Sequence, residues 1–524
     1  MVKLLDFFST PFNKNLRFFV VLFLLASSVN FIDRLYYVGI ASGIFWSFFG
    51  FLECYVLCLF IPLLNSFCKK CYKIILLIVG TLNFITDIVI LKISSRGFNE
   101  FVGLILGTNI SEMYEFFMHY VSSSTVFIVI VGGFIFLLLY FLLGFLKSNK
   151  YIVFLGLGVS LISIPLIFKD VHKHYQNIFI GKIYTLVKEY NKNNHNIEDF
   201  YSNPSLVTTK KLPNNVVVVI GESFAKDFSS LYGYEKETNP KLSLYPDSLL
   251  MLYKNVTSAD ISTVENIECI LSTFTKENCE KDWYECLTLQ EILSKLNYKT
   301  YWVSNQAEVG LWDNIPTKYA YICDSAIFVG AKNGSYEAVT FDENVISPTQ
   351  QIIHNDSAPK VIFVHLIGSH PCFEERYPKN RVKFHASDYM NYSDDQRGAR
   401  SHYDNSIVYN DSVVNEIVKL VHDKETLLFY FPDHGLDVFQ TDNSYAGHAR
   451  RGDAASEKVA KRIPFMIYAT PKYQQKYPAE MKRMRESVDN EFVTENFIYA
   501  LMDIMGVRFK DNNDVEKYTL FNKE

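Results

Sequence analysis

Three short apolar runs in the C-terminal half of the chain each end on a side chain suited to binding a metal or moving a proton. They read VVVVIGES (Val216 to Ser223), VIFVHLIGSH (Val361 to His370) and LLFYFPDHG (Leu427 to Gly435). Uninterrupted β-branched and aromatic runs of this length are the mark of strands buried on both faces, as in parallel sheets. Open sheets of that kind place their sites outside the carboxyl ends of the strands. Three such deliveries of Glu, His and Asp-His in one domain predict an α/β enzyme built around a metal.

The surrounding sequence alternates in the same way. Val216 to Ile220 is a buried strand, Leu289 to Leu296 a short helix and Lys299 to Val303 a strand. Lys360 to His365 is a strand, Arg400 to Val421 a long amphipathic helix, and Thr426 to Phe431 and Ile463 to Tyr468 are strands before a late helix, Glu495 to Met505. Strand–helix alternation argues a mostly parallel sheet covered by helices. This domain is expected over residues 213–524. The polar stretch Phe384 to His402 reads as a surface excursion.

The chain has 524 residues, 49% of them apolar and 15% aromatic, with the excess at the N-terminus. Five runs read as membrane spans: Arg17 to Phe31, Val38 to Leu63, Ile74 to Leu91, Thr125 to Phe145 and Tyr151 to Phe168. Each is close to the ~20 residues that cross ~30 Å of hydrocarbon. Lys3, Lys14 and Arg17, then Lys69, Lys70 and Lys73, then Lys147 and Lys150 alternate as a cytoplasmic N-terminus requires, which puts the C-terminal domain outside the cytoplasm. The small-residue cluster Ala26-Ser27-Ser28 is compatible with signal cleavage, but four more spans follow and an uncleaved first helix is favoured. Ile105 to Ser124 repeats its apolar residues at three and four and reads as an amphipathic helix on the outer membrane surface. The expected domains are residues 1–170 in the membrane, 171–212 as a membrane-surface helix and linker, and 213–524 outside. Glu53 and Asp87 fall inside spans, where a carboxylate is functional, part of a helix–helix pair, or a group near the interface.

Glu222, Asp433 and His434 offer two carboxylates and an imidazole, a zinc or manganese half-site. Thr263, in SADISTVENIECILSTF (Ser258 to Phe274), stands where a helix begins. Its hydroxyl is open to two readings: an N-cap, or a nucleophile activated by a cation and facing a phosphate at the helix N-terminus. His370 and His448 are candidates for proton transfer or for a second metal. His365 lies inside an apolar strand and reads as a satisfied core histidine. Of the nine cysteines, Cys279 and Cys286 are close in sequence and the favoured pair in an oxidising compartment.

With these residues the chain resembles the phosphoethanolamine transferases of Gram-negative bacteria, within the alkaline-phosphatase/sulfatase superfamily. The resemblance rests on GES at Gly221 to Ser223, SLYGYEKETNP at Ser230 to Pro240 and YKTYWVSNQ at Tyr298 to Gln306. HLIGSHPCFEERYP at His365 to Pro378, YDNSIVYNDSVV at Tyr403 to Val414 and PDHG at Pro432 to Gly435 add to it, as do Thr108, Asn109 and Glu112. The wording is most similar to the branch that modifies the lipopolysaccharide core (CptA-like). The resemblance implies one tight zinc on Glu222, Thr263, Asp433 and His434, with Thr263 also the nucleophile. It implies His370 and His448 for proton transfer or a second zinc, and Asn109 and Glu112 for the lipid substrate. It further implies phosphatidylethanolamine as donor, a lipopolysaccharide acceptor, and a multi-pass inner-membrane protein with its catalytic domain in the periplasm. A monomer is expected, and no nucleic-acid partner.

Two departures stand out. Leu436 occupies a position where many relatives carry Glu after Asp-His-Gly, with Asp437 next. Ala259 replaces the cysteine that lipid A-modifying relatives carry four residues before the nucleophile, so Cys269 lacks that partner. A sulfatase reaction would need a modified Cys or Ser in a C/S-x-P-x-R context, which Thr263 to Ile267 does not offer. The alternatives are a phosphoglycerol transferase of the same superfamily, a lipid A-specific phosphoethanolamine transferase, and a silent scaffold.

Overall fold

The structure is a computed structural model. It describes residues 2–37, 39–93, 123–143, 148–161, 182–184, 187–188, 191, 195, 197–275, 281–306, 308, 315–330, 340–355, 358–442, 446–449 and 453–521. These fall into two compact units that part near residue 193.

The first unit contains helices α1 (Val2–Asn13), α2 (Leu16–Tyr37), α3 (Ile40–Leu59), α4 (Ser66–Ile93) and α5 (Ser123–Leu142). Ile40–Leu63, Ser66–Ile90 and Thr125–Leu142 are long and apolar enough to cross a membrane; α1 and α2 meet at 66° and make a fourth span if the bent pair counts as one. The expected fifth span is present as the shorter apolar helix Lys150–Leu161, and residues 162–168 lie outside the described residues. The described residues thus hold three or four spans where five were expected. The third span starts eight residues early: Lys69, Lys70 and Lys73 ride on the first turns of α4, and Lys73 Nζ donates to Asn15 Oδ1 at 2.7 Å. Asn109, Glu112 and the rest of the amphipathic segment through residue 122 lie outside the described residues. Asp87 behaves as a structural pair, bound to Lys182 and accepting from Asn83 at 3.0 Å and Asn30 at 3.3 Å.

The second unit is organised by a seven-stranded sheet. In chain order its strands are β1 (Asn215–Gly221), β2 (Leu250–Tyr253), β3 (Lys299–Ser304), β4 (Ser325–Phe328), β5 (Lys360–His365), β6 (Thr426–Pro432) and β7 (Phe465–Ala469). Their spatial order is β2-β7-β6-β1-β5-β3-β4. The pairs β1–β5, β1–β6, β3–β5 and β3–β4 are parallel. Only β7 runs against its neighbours, antiparallel to β2 and β6. Val216 to Ile220 in β1 are fully buried, and they alternate between two cores. Val216, Val218 and Ile220 pack with the late helix Phe497–Met505; Val217 and Val219 pack with the long helix Asp394–Val421. Each such aliphatic side chain contributes roughly 1.5–3 kcal/mol on burial, which is why the run cannot face water on either side.

The long helix begins six residues earlier than its apolar pattern suggests. Ser393 and Gln396 form a capping box, with Ser393 N donating to Gln396 Oε1 at 2.9 Å, so the surface excursion ends at residue 393. Residues ahead of Pro213 also join this unit. Ile197 is buried in its core, and Leu206–Thr208 pairs antiparallel with Val507–Phe509. Cys286 is a free thiol; Cys279, its expected partner, lies outside the described residues.

Candidate metal centre

The three islands fold as neighbouring parallel strands. Register sets Ile220 of β1 beside His365 of β5 and Phe431 of β6, and Gly221 beside Pro432. The residues that follow β1, β5 and β6 therefore leave the sheet at one edge, side by side. Among the described residues, Glu222, Asp433 and His434 each bring one ligand atom within 4.8 Å of the others, and all three side chains are buried.

The donor atoms suit a cation. His434 Nδ1 is 2.8 Å from Gly435 O, an acceptor that fixes the proton on that nitrogen and leaves Nε2 as a lone pair. His434 Nε2 and Asp433 Oδ2 are buried with no hydrogen-bond partner among the described residues. Unsatisfied buried polar atoms are expensive, and two that converge on one point are explained by an ion between them. Glu222 completes the set with Oε1 at 3.3 Å from His434 Nε2. Two carboxylates and an imidazole are a zinc donor set, so the residues present fit that metal.

Protons redistribute accordingly in the metal-free site. Burial works to raise the Glu222 carboxyl, but the adjacent His434, Nε2 at 3.3 Å from Oε1, holds it well below the usual carboxylate range. Burial and the adjacent Glu222 charge push Asp433 up to about 7. Burial opposes a charged His434, yet Asp433 and Glu222 raise it to about 9. A bound divalent cation reverses this balance by taking the place of the protons.

Thr263 is the first residue of helix Thr263–Ile270, and the N-cap is Ser262. The hydroxyl of Thr263 is thus free of capping duty. It donates to Glu222 Oε2 at 3.0 Å, which brings it to the candidate ligands across 41 residues of sequence. His448 packs beside His434, with ring centroids 4.9 Å apart and the ring planes tilted by 47°. His370 follows β5 through Gly368 and is close enough for its charge to lower Glu222. His365 is in the core as expected, but it is not satisfied. Among the described residues neither ring nitrogen has a hydrogen-bond partner, and burial drives its pKa down to about 4, so it is neutral.

Leu436 is fully buried among apolar side chains. The Asp437 carboxylate is consumed locally: it accepts from Gln440 N at 3.0 Å, Ser456 Oγ at 2.6 Å and the Thr441 hydroxyl. Neither residue adds a ligand. Sequence reasoning missed Ser223 and Gln306. Ser223 Oγ donates to Glu222 Oε1 at 2.6 Å, and Ser223 N reaches Asp433 Oδ1 at 3.3 Å. Gln306 Nε2 is 3.4 Å from Glu222 Oε2. A signal for Gln306 existed, since it too follows an apolar strand, β3.

Comparison with known proteins agrees with this architecture. The chain is 28% identical over 304 residues to the phosphoethanolamine transferase EptC of Escherichia coli K12, covering 57% of this chain and 52% of that protein. It is 27% identical over 305 residues to the phosphoethanolamine transferase CptA of Salmonella typhimurium, covering 57% and 52%. The match thus spans about half the length of these relatives. The fold is similar to the crystal structure of the C-terminal periplasmic domain of Escherichia coli EptC in complex with Zn, at TM-score 0.55 and 24% identity over 62% of this chain and 90% of that one. It is also similar to the integral membrane protein lipooligosaccharide phosphoethanolamine transferase A of Neisseria meningitidis, at TM-score 0.64 and 16% identity over 97% of both chains. The Sulfatase family model matches residues 214–507, more than half of the chain and the whole span from β1 to the late helix, and the chain belongs to that family.

Proposed function

We propose that this protein transfers phosphoethanolamine from phosphatidylethanolamine to a lipopolysaccharide acceptor, core heptose or its phosphate, through a covalent phosphoethanolamine–Thr263 intermediate. It would act as a monomer that crosses the bacterial inner membrane five times, with the metal centre in the periplasm. The observation that carries the reading is the Thr263 hydroxyl, 3.0 Å from a carboxylate of the candidate ligand set and without a capping role. Its similarity to named phosphoethanolamine transferases supplies the substrate class.

Zinc held by Glu222, Thr263, Asp433 and His434 would supply the positive charge that activates a hydroxyl and steadies phosphoryl oxygens. Within the chain, Thr263 Oγ1 forms the new bond to phosphorus while the bond to diacylglycerol breaks. The Thr263 proton passes to Glu222 Oε2, to which the hydroxyl already donates at 3.0 Å, and returns from there in the second half. His370 or His448 protonates the departing alkoxide. In the second half the acceptor hydroxyl gives its proton to a histidine, attacks the same phosphorus, and Thr263 regains its proton. These two histidines could alternatively hold a second zinc. Asn109 and Glu112 are proposed to contact the lipid substrate.

Enzyme incubated with donor alone should show phosphoethanolamine on Thr263 by peptide mass analysis and should release diacylglycerol. Thr263→Ala should do neither. Mass spectrometry of lipopolysaccharide from cells with the wild-type protein, against Thr263→Ala, should show one added phosphoethanolamine on the core. Addition to lipid A alone would overturn the acceptor assignment and leave the chemistry standing.

A further inference from the structure

The turn that carries Glu222 is held in an unfavourable shape. Ser223 has φ +58°, in the left-handed region that non-glycine residues seldom enter. Such a conformation persists only where the surroundings over-determine it. Here it has a purpose: in that conformation Ser223 Oγ reaches Glu222 Oε1 at 2.6 Å while Ser223 N reaches Asp433 Oδ1 at 3.3 Å. One residue thereby fixes the separation of the two carboxylates.

The constraint comes from the long helix Asp394–Val421. Tyr403 on this helix is fully buried, and its hydroxyl donates to Ser223 O at 2.9 Å and accepts from Ala225 N at 3.0 Å. Those two backbone groups bracket Phe224, so the contact pins the chain directly after Glu222. One helical turn on, Ser406 Oγ lies 2.8 Å from Ser369 Oγ, and Ser369 N donates to Glu222 O at 2.9 Å. The Tyr403 ring is seated between Phe228 at 5.3 Å and Phe373 at 4.9 Å, so the position of its hydroxyl is set by packing.

We propose that Tyr403 is a positioning residue for the metal centre, acting through the backbone of Ser223 and Ala225 to hold the Glu222 carboxylate in the geometry that receives the ion. The inference rests on the metal-centre reading above. Groups that orient metal ligands typically change metal affinity by 10–100-fold when removed.

The test is a cycle of Tyr403→Phe, Ser223→Gly and the double variant in the full-length, detergent-solubilised protein, with zinc affinity read by chelator competition. Tyr403→Phe keeps both ring contacts and should weaken zinc binding 10–100-fold, while the zinc-free protein still folds and melts about a few degrees lower, because Ser223 O and Ala225 N lose a buried partner. Glycine adopts the left-handed conformation without strain. In the Ser223→Gly background the same hydroxyl deletion should therefore change affinity less than threefold. Wild-type affinity in Tyr403→Phe would overturn the inference. So would an equal loss in both backgrounds, or failure of Tyr403→Phe to fold, because a positioning hydroxyl is not needed for the fold. A wild-type protein that binds no zinc would instead sink the metal-centre reading itself.

Discussion

Replacing Asp433 by Asn should move two measurements in opposite directions. The side chain is fully buried, with Oδ1 accepting from His434 N at 2.7 Å and Oδ2 facing the centre without a partner among the described residues. Asn keeps the volume and the Oδ1 acceptor but puts an NH2 group where the ion should be. Structural zinc sites are worth roughly 10–16 kcal/mol over four ligands. One ligand then accounts for about 3–4 kcal/mol, or 10²–10³-fold in affinity. The metal-free protein should respond the other way. Burial and Glu222 raise Asp433 to about 7, against about 3.9 in an unfolded chain. An acid raised on folding destabilises the native state above its folded pKa, and the penalty disappears below its unfolded pKa. At pH 8 this comes to about 4 kcal/mol at most. Asn removes the charge but buries an amide, so a net gain of about 1–3 kcal/mol is expected. Calorimetry at pH 8 should therefore show zinc-free Asp433→Asn melting above zinc-free wild type, and zinc raising the melting temperature of wild type by clearly more than that of the variant. Equal stabilisation of both proteins by zinc, or a lower zinc-free melting temperature in the variant, would refute the reasoning.

Zinc affinity should depend steeply on pH. With Asp433 at about 7 and His434 at about 9, one proton must leave between pH 7 and 9 and two below pH 7. Affinity should thus fall about tenfold per unit from pH 9 to 7 and about a hundredfold per unit below that; chelator competition from pH 6 to 9 reads the change of slope. Gly368→Ala should damage the same centre from the backbone side. Gly368 has φ +50°, and a Cβ there would lie 2.6 Å from Glu222 O and 2.8 Å from Glu222 N. We expect a loss of about 2–4 kcal/mol in thermal stability and at least tenfold in zinc affinity. Leu436→Glu should not create a further ligand. It would bury a carboxylate in the apolar cluster around Leu436, lowering stability by several kcal/mol without tightening zinc.

Glu222, Asp433 and His434 were legible because a strand buried on both faces has a simple composition, and a polar group at its exit stands out against it. Thr263 was legible as a helix start, but not as a residue free of capping duty. That depended on Ser262 standing at the N-cap position, a choice of φ and ψ that local sequence leaves open between two adjacent hydroxyl residues. The onset of the long helix was misplaced because its first turns carry Gly398 and polar residues, so a capping box and not apolar periodicity marks the start. The five-span count turns on the two ends of the membrane segment. The first apolar run is one arm of a bent pair, and the described part of the last is only Lys150–Leu161.

By itself, the sequence determined which residues could bind a cation and which strands would deliver them. Those facts follow from hydrophobicity and donor chemistry, both properties of short segments. The tertiary structure decided that β1, β5 and β6 lie side by side in register, and that Thr263 reaches Glu222. It also decided that Tyr403, 180 residues away, locks Ser223 into a left-handed turn. Strand order, the antiparallel entry of β7 and the reach of a buried hydroxyl depend on how distant segments pack, and no local pattern encodes a contact whose two halves acquire meaning only when they meet.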